Sequence, residues 1–155
     1  MSERLALETQ FLFRLTLEVS TPEIVGTAAD HELRVIAIKG GRFEGPHLNG
    51  TVLPIGADWL RVEPDGTARI DVRITLREAS GALIQVTYAG VRTGPPEVLA
   101  RLAKGEAVAP SDYYFRATMR FETSAPELLW LNRTLAVATG QRPPTGPCYD
   151  VYAVK

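Results

Sequence analysis

The stretch TARIDVRITLR, residues 67–77, has an apolar side chain at every second position. Its apolar members are Ala68, Ile70, Val72, Ile74 and Leu76. Successive side chains of a strand point to opposite faces, so this alternation predicts a strand with one buried and one solvated face. Strands of that kind are typical of antiparallel sheets, because parallel strands are usually buried on both faces. The stretch therefore predicts an antiparallel, all-β protein.

The same period of two continues through the rest of the chain. It is clearest in Gln10–Val19 and Tyr113–Phe121. Further strands with less contrast are predicted at Leu33–Lys39, Thr51–Pro54, Trp59–Glu63, Leu83–Val91, Thr134–Thr139 and Cys148–Val154. Turn sequences such as Pro64-Asp65-Gly66 separate them, since Gly and Asp tolerate the backbone angles of tight turns.

Only two segments have helical signals. Glu97–Lys104 follows a Pro-Pro pair and ends at a glycine. Ser124 and Glu127 have the spacing of a capping box that would begin a short helical turn through Leu131. Many strands and few helices predict a closed barrel or a sandwich. We favour a single closed antiparallel β-barrel of about 8–10 strands with one or two short helices. We expect residues 1–155 to form one domain.

Composition excludes several classes of function. The 155 residues include 17 basic and 18 acidic side chains, a net charge of −1, so no electrostatic surface for nucleic acid is expected. The single cysteine, Cys148, cannot form an internal disulfide. No secretory signal or membrane-spanning segment is apparent, so we expect a cytoplasmic protein without a membrane partner. His31 and His47 lack a paired ligand spacing, and neither a metal nor a cofactor is expected.

Several motifs together resemble one family of small bacterial and fungal proteins that is defined only as a domain of unknown function. The most specific are Gly56-Ala57-Asp58-Trp59 and Trp130-Leu131-Asn132, and the likeness extends from about Phe11 to Val154. The resemblance implies a closed, lipocalin-like (calycin-like) β-barrel and no established general activity. Lipocalins proper carry Gly-x-Trp on their first strand, whereas Trp59 lies well inside this chain, so lipocalin ligand chemistry is not implied.

Asp58 and Trp59 are the first candidate site residues. A carboxylate beside an aromatic wall at the mouth of a barrel could bind a polar ligand or move a proton. The alternative is structural: Asp58 would cap a turn while Trp59 closes the end of the barrel.

Two strand faces pose a second choice. Asp71 and Arg73 share one face of their strand, and Arg116 lies on the polar face of another. These side chains either line a polar interior or form an ordinary solvated surface. Tyr88 lies on an apolar face, where a core tyrosine whose hydroxyl finds a partner is expected ahead of a catalytic acid. Asn132 could enter the cavity or end the short helix.

Three hypotheses for function follow. The first is a small-molecule-binding barrel with a partly polar, aromatic-lined cavity, whose ligand is anionic or aromatic. The second is a cofactor-free isomerase, cyclase or lyase, in which Asp58 acts as acid and base and Arg116 stabilises an oxyanion. The third is an oligomeric structural or interaction module, with a homodimer as the default and the segment Thr93–Ser111 as its protruding part.

Overall fold

The structure, a computed structural model, describes residues 2–155. Those residues form one antiparallel sheet of nine strands in the order β1-β9-β8-β7-β6-β5-β4-β3-β2. The strands are β1 (Thr9–Val19), β2 (Glu23–Ala28), β3 (His31–Glu44), β4 (Asn49–Val62), β5 (Ala68–Glu78), β6 (Leu83–Thr93), β7 (Tyr114–Glu122), β8 (Ala136–Gln141) and β9 (Cys148–Val154).

A pairing between β1 and β3 closes the sheet into a barrel. It runs from Arg14 opposite Glu44 to Val19 opposite Ile38, while β1 pairs with β9 along its other edge. Eight strands therefore form a closed ring in which every edge has a partner. The additional strand, β2, pairs with the first part of β3 outside that ring. The closed antiparallel barrel predicted from the alternating sequence is confirmed.

Alternation decides which side chains fill the barrel. Strands β5 and β6 pair without interruption from Ala68 opposite Arg92 to Arg77 opposite Leu83. Along β5 the apolar row is buried, and the polar row between its members lies outside. The same division holds for β7, where Phe115, Ala117, Met119 and Phe121 are buried. The charged side chains of β5 and β7 consequently lie on the outer face of the barrel.

Helical structure is short and lies between strands. Helix α1 covers Pro96–Ala103, as predicted for that segment, and none of its residues is buried. Two 3-10 segments occupy Pro110–Asp112 and Pro126–Arg133. The predicted capping box does not form, because Ala125 occupies the N-cap position and no side chain caps the segment. Within residues 2–155, no helix has the length and apolarity that a bilayer crossing requires.

Several strand ends differ from the prediction, such as that of β3, which continues to Glu44. Two further differences change the number of strands. Thr51–Pro54 and Trp59–Glu63 belong to one strand, β4, whose register shifts between Val52 and Gly56. Gly56 permits this irregularity: its φ is +94°, and a Cβ there would lie 2.1 Å from the Arg73 carbonyl oxygen. Strand β2 was not predicted, because its side chains are nearly all exposed and carry no apolar alternation.

Candidate functional site

A cavity of about 260 Å³ occupies one end of the barrel interior. Its walls come from the inward faces of β1 and β3–β6, together with Phe115 of β7 and Tyr149 of β9. The end of α1 and the segment after β8 also contribute, through residues such as Leu102 and Pro143. Most of the lining is apolar, and its polar side chains are Arg34, Asp58, Tyr88, Arg92, Arg142 and Tyr149.

Strand register places Asp58 and Tyr88 on the same inward face. Asp58 pairs opposite Val72, and Val72 pairs opposite Tyr88. The two polar residues therefore flank a buried valine in one row across the sheet. Two strand spacings separate their backbones, about 10 Å. Because the wall of a barrel curves, inward side chains in such a row converge on the cavity.

The Asp58 carboxyl group is half-buried and has one hydrogen bond from the backbone. The Asp71 N–H donates to its Oδ1 at 3.1 Å. Burial raises the pKa of Asp58 to about 7, although this hydrogen bond and the positive charge of Arg92 both favour the ionised form. Near neutral pH, both the acid and the carboxylate are therefore populated. A group with that property can both donate and accept a proton.

Tyr88 and Tyr149 form an aromatic pair beside this carboxyl group. Each is 2% exposed, and their rings meet edge to face with centroids 5.2 Å apart. Burial raises the pKa of Tyr88 well above its ordinary value, with a contribution from the neighbouring Tyr149 hydroxyl. The two hydroxyls nevertheless do not reach hydrogen-bonding geometry, and Tyr88 Oη has no partner within residues 2–155. The Tyr88 O–H group is thus neutral, fully buried and unsatisfied.

Arg92 and Arg142 bring positive charge to the cavity. The Arg92 guanidinium lies 5.7 Å from the centre of the Phe115 ring. Arg142 Nη1 donates to the Pro143 carbonyl at 2.7 Å. Burial lowers the pKa of both groups, and repulsion from Arg142 lowers that of Arg92 further.

Neither of these two arginines has a carboxylate partner within residues 2–155. The third arginine of the lining, Arg34, differs because it forms an ion pair with Glu32. Guanidinium groups remain protonated in proteins, so the cavity contains two positive charges. The nearby Asp58 carboxyl group is only partly ionised near neutral pH and forms no ion pair with either of them.

The other polar candidates on β4, β5 and β7 lie outside the barrel. The Arg73 guanidinium lies 5.6 Å from the Trp59 ring centre, and Asp71 Oδ2 lies 3.7 Å from Arg61 Nη1. Asp58 and Trp59 both lie within β4, where Asp58 accepts the Asp71 N–H and Trp59 contacts Arg73.

Arg116 also lies on the outer surface. Its guanidinium lies 5.3 Å from the Tyr114 ring centre, and Nη1 donates to the Phe115 carbonyl. Both residues line an open outer concavity of about 710 Å³. The structure does not bring Arg73 or Arg116 to Asp58, because the apolar rows of β5 and β7 face inward and the alternating charged rows face outward.

Asn132 lies away from the cavity, near the end of the second 3-10 segment. Its Oδ1 accepts the Thr123 N–H at 2.8 Å, and its Nδ2 donates to the Thr123 carbonyl at 2.9 Å. This pair of bonds ties the 3-10 segment to the residue that follows β7. The geometry is that of a structural contact, and the side chain is exposed.

Four charged or polar residues of the cavity, Arg34 among them, were missed by the sequence analysis. Arg92 continues the inward row of Ile84, Val86 and Tyr88, but the predicted strand ended one residue earlier. Arg142 follows the last strand residue of β8, in a proline-rich segment without alternation. Tyr149 lies in a predicted strand, where an inward tyrosine suggests only a core residue. The available signal was Arg92 at an inward position of β6. Recognising it required a predicted strand that continued past Val91.

Several known proteins are similar to this chain in sequence and have the same barrel fold. A family model described as "Protein of unknown function (DUF3237)" matches residues 7–154. A UPF0311 protein of Rhodopseudomonas palustris is 34% identical over 148 residues, 96% of this chain and 97% of that protein. Its crystal structure, covering 98% of this chain and 100% of the other, superposes with a TM-score of 0.94.

Two further structures have the same architecture. A β-barrel-like protein of Acinetobacter baumannii is 39% identical, with a TM-score of 0.87 and full coverage of both chains. An enzyme from Penicillium herquei is 22% identical over 100% of this chain and 99% of its own, with a TM-score of 0.76, and shares the fold. The match to the family model and the identity to the bacterial relatives place this chain in the DUF3237 family.

Proposed function

We propose that the protein binds a small organic anion in the cavity at the end of the barrel. The observation that carries this proposal is the position of Arg92 and Arg142, which line the cavity without a carboxylate partner within residues 2–155. Removing a guanidinium from water without a counterion is unfavourable. A carboxylate ligand would supply the counterion and accept bidentate hydrogen bonds from a guanidinium.

The remaining lining supports an aromatic part for this ligand. Tyr88, Phe115 and Tyr149 present ring faces and edges around the cavity, and aliphatic residues of β1, β3 and β5 complete the wall. Pockets for drug-sized molecules measure about 300–1,000 Å³. A cavity of about 260 Å³ suits a smaller molecule, such as one ring with a short carboxylated chain.

Protonation of Asp58 should govern the affinity for such an anion. The neutral acid can donate a hydrogen bond to a carboxylate, whereas the ionised form would repel it. Because burial raises the pKa of Asp58 to about 7, affinity should be greatest below pH 7 and should fall as the pH rises through that value.

The test is calorimetric titration of 3-phenylpropionate into the protein at pH 6. We expect binding that weakens by tenfold or more in Arg92→Gln and in Arg142→Gln, since each loses a charge-assisted hydrogen bond. Arg116→Gln is the matched control on the outer surface and should bind as the unmodified protein does. The uncharged 3-phenylpropanamide should bind much more weakly. Equal affinities in all three variants would contradict the proposal.

A further inference from the structure

We propose that the cavity catalyses a proton transfer on a bound aryl keto acid, with Asp58 as the general acid and base and the Tyr88 hydroxyl as the donor to the carbonyl oxygen. This inference rests on the proposed function, because the substrate is a member of the same class of aromatic anions. It adds a reaction, keto–enol tautomerisation, and assigns one role to each of two side chains.

The first argument is the unsatisfied hydroxyl of Tyr88. Its side chain is 2% exposed and lines the cavity, yet Oη has no hydrogen-bond partner within residues 2–155. Leaving such a group buried and unpaired is unfavourable. Because Oη has almost no accessible surface in the unliganded protein, a ligand carbonyl oxygen would accept this O–H after a shift of the Tyr88 ring that opens the hydroxyl to the cavity. The hydrogen bond would strengthen as negative charge develops on that oxygen.

The second argument is the position of the carboxyl group relative to that hydroxyl. Asp58 and Tyr88 extend inward from β4 and β6 on either side of Val72, so the two groups face the same volume from different strands. A planar keto acid bound between them can present its carbonyl oxygen to one group and the adjacent C–H to the other. The raised pKa of Asp58, about 7, allows the carboxyl group to take and return a proton near neutral pH.

The third argument concerns the anchoring of the substrate. Tyr88, Gly90 and Arg92 occupy alternate positions of β6, so the Arg92 and Tyr88 side chains share its inward face. Arg92 and Arg142 would hold the carboxylate of the substrate. The adjacent keto group would then lie on the Tyr88 side of the cavity. The ring of the substrate would then contact the aromatic wall at Phe115 and Tyr149.

The reaction needs no other reactant. The Asp58 carboxylate takes a proton from the carbon beside the carbonyl, and the C–H electron pair becomes the new C=C bond. The carbonyl π pair moves to oxygen, where the hydrogen bond from Tyr88 stabilises the enolate. Asp58, now protonated, delivers its proton either to that oxygen, which gives the enol, or back to carbon, which restores the ketone. The net change is an isomerisation, and atoms and electrons balance.

Deuterium exchange tests the proposal directly. Phenylpyruvate is incubated with the protein in D₂O, and loss of the benzylic proton signal is followed by NMR against a protein-free sample in the same buffer. We expect accelerated exchange that falls by at least about 10²-fold in Asp58→Asn, as for loss of a general base. Tyr88→Phe should reduce the exchange by about 10²-fold, as for loss of an oxyanion donor.

Two outer-surface variants serve as matched controls. Asp150→Asn is the control for Asp58→Asn and lies on the outside of β9, where Asp150 pairs with Arg14. Tyr114→Phe is the control for Tyr88→Phe and lies on the outside of β7. Both should exchange phenylpyruvate at the unmodified rate. If Asp58→Asn fails to fold, the contrast between Tyr88→Phe and Tyr114→Phe still decides the result.

Binding measured on the same samples separates the two proposals. Calorimetry with phenylpyruvate and with 3-phenylpropionate, which lacks the ketone, reports occupation of the cavity independently of the reaction. Binding without accelerated exchange would overturn the proton-transfer proposal and leave the binding function intact. Failure of both compounds to bind would overturn both proposals. Accelerated exchange that persists in Asp58→Asn would refute the role of Asp58.

Discussion

The two ends of the barrel interior are built from different kinds of side chain. At one end Phe13 contacts Phe43 and Phe121 edge to face, with centroid distances of 5.4 and 6.3 Å. All three rings are buried in the hydrophobic core. At the other end an aspartate, two tyrosines and two arginines without an ion-pair partner in residues 2–155 surround a cavity. The comparison indicates that one end provides stability, and that the other retains polar groups that a well-packed apolar core would lack.

The largest effect is expected at the packed end. Phe13→Ala should lower the free energy of unfolding by about 3–5 kcal/mol, because it removes a side chain that is 1% exposed and leaves a cavity among aromatic neighbours. Urea denaturation measures the change. Phe11→Ala is a suitable control, since Phe11 precedes it on β1 and is 38% exposed. Equal losses in the two variants would contradict the assignment of Phe13 to the packed core.

The next effect is a pH dependence at the cavity end. The pKa of Asp58 is raised to about 7 in the folded protein, so the folded state holds this proton more tightly than the unfolded state does. Stability should therefore decrease as the pH rises from about 4 to about 7 and level off above that, by on the order of 3 kcal/mol. Asp58→Asn should lack this decrease, as measured by urea denaturation from pH 4 to pH 8.

Asp150→Asn provides the comparison for that experiment. Asp150 is an outer-surface carboxylate that accepts two hydrogen bonds from Arg14. Exposed ion pairs contribute about 0–1 kcal/mol, so the pH profile of this variant should follow that of the unmodified protein. A profile for Asp58→Asn that also follows the unmodified protein would show that Asp58 is not the titrating group.

Arg92→Met should increase stability by about 1–2 kcal/mol in the absence of ligand. The substitution replaces a half-buried charge, for which the described part of the chain offers no ion-pair partner, with an apolar side chain of similar length. Loss of the contact between Arg92 and the Phe115 ring opposes the gain and keeps it modest. Thermal denaturation of the unliganded protein would measure the change, and a clear loss of stability would show that Arg92 has a structural role instead.

The smallest effect is expected for Tyr88→Phe. Removing an unpartnered buried hydroxyl should leave stability unchanged or increase it by about 1 kcal/mol. Tyr113→Phe is an informative contrast, because the Tyr113 hydroxyl accepts the Arg142 N–H at 2.7 Å and its removal leaves that donor unpaired. The two tyrosine variants should therefore differ in sign when their melting temperatures are compared.

The sequence predicts the barrel far better than it predicts the site. Alternation in residues 67–77 and 113–121 is a local property, and it correctly separates the inward from the outward row on β5 and β7. Placing Asp58 inside required its pairing opposite Val72, which depends on the irregular register of β4 around Gly56. Arg92 and Arg142 belong to distant parts of the chain, and the pairing of β6, β7 and β8 brings them to one cavity. The cytoplasmic location, the single domain and the homodimer remain predictions.

A crystal structure of the protein soaked with 3-phenylpropionate tests the central claim most directly. The account predicts density for the ligand inside the barrel, with its carboxylate within hydrogen-bonding distance of the Arg92 and Arg142 guanidinium groups and its ring against Phe115 and Tyr149. Density only in the outer concavity beside Tyr114 and Arg116, with the inner cavity occupied by water alone, would contradict it.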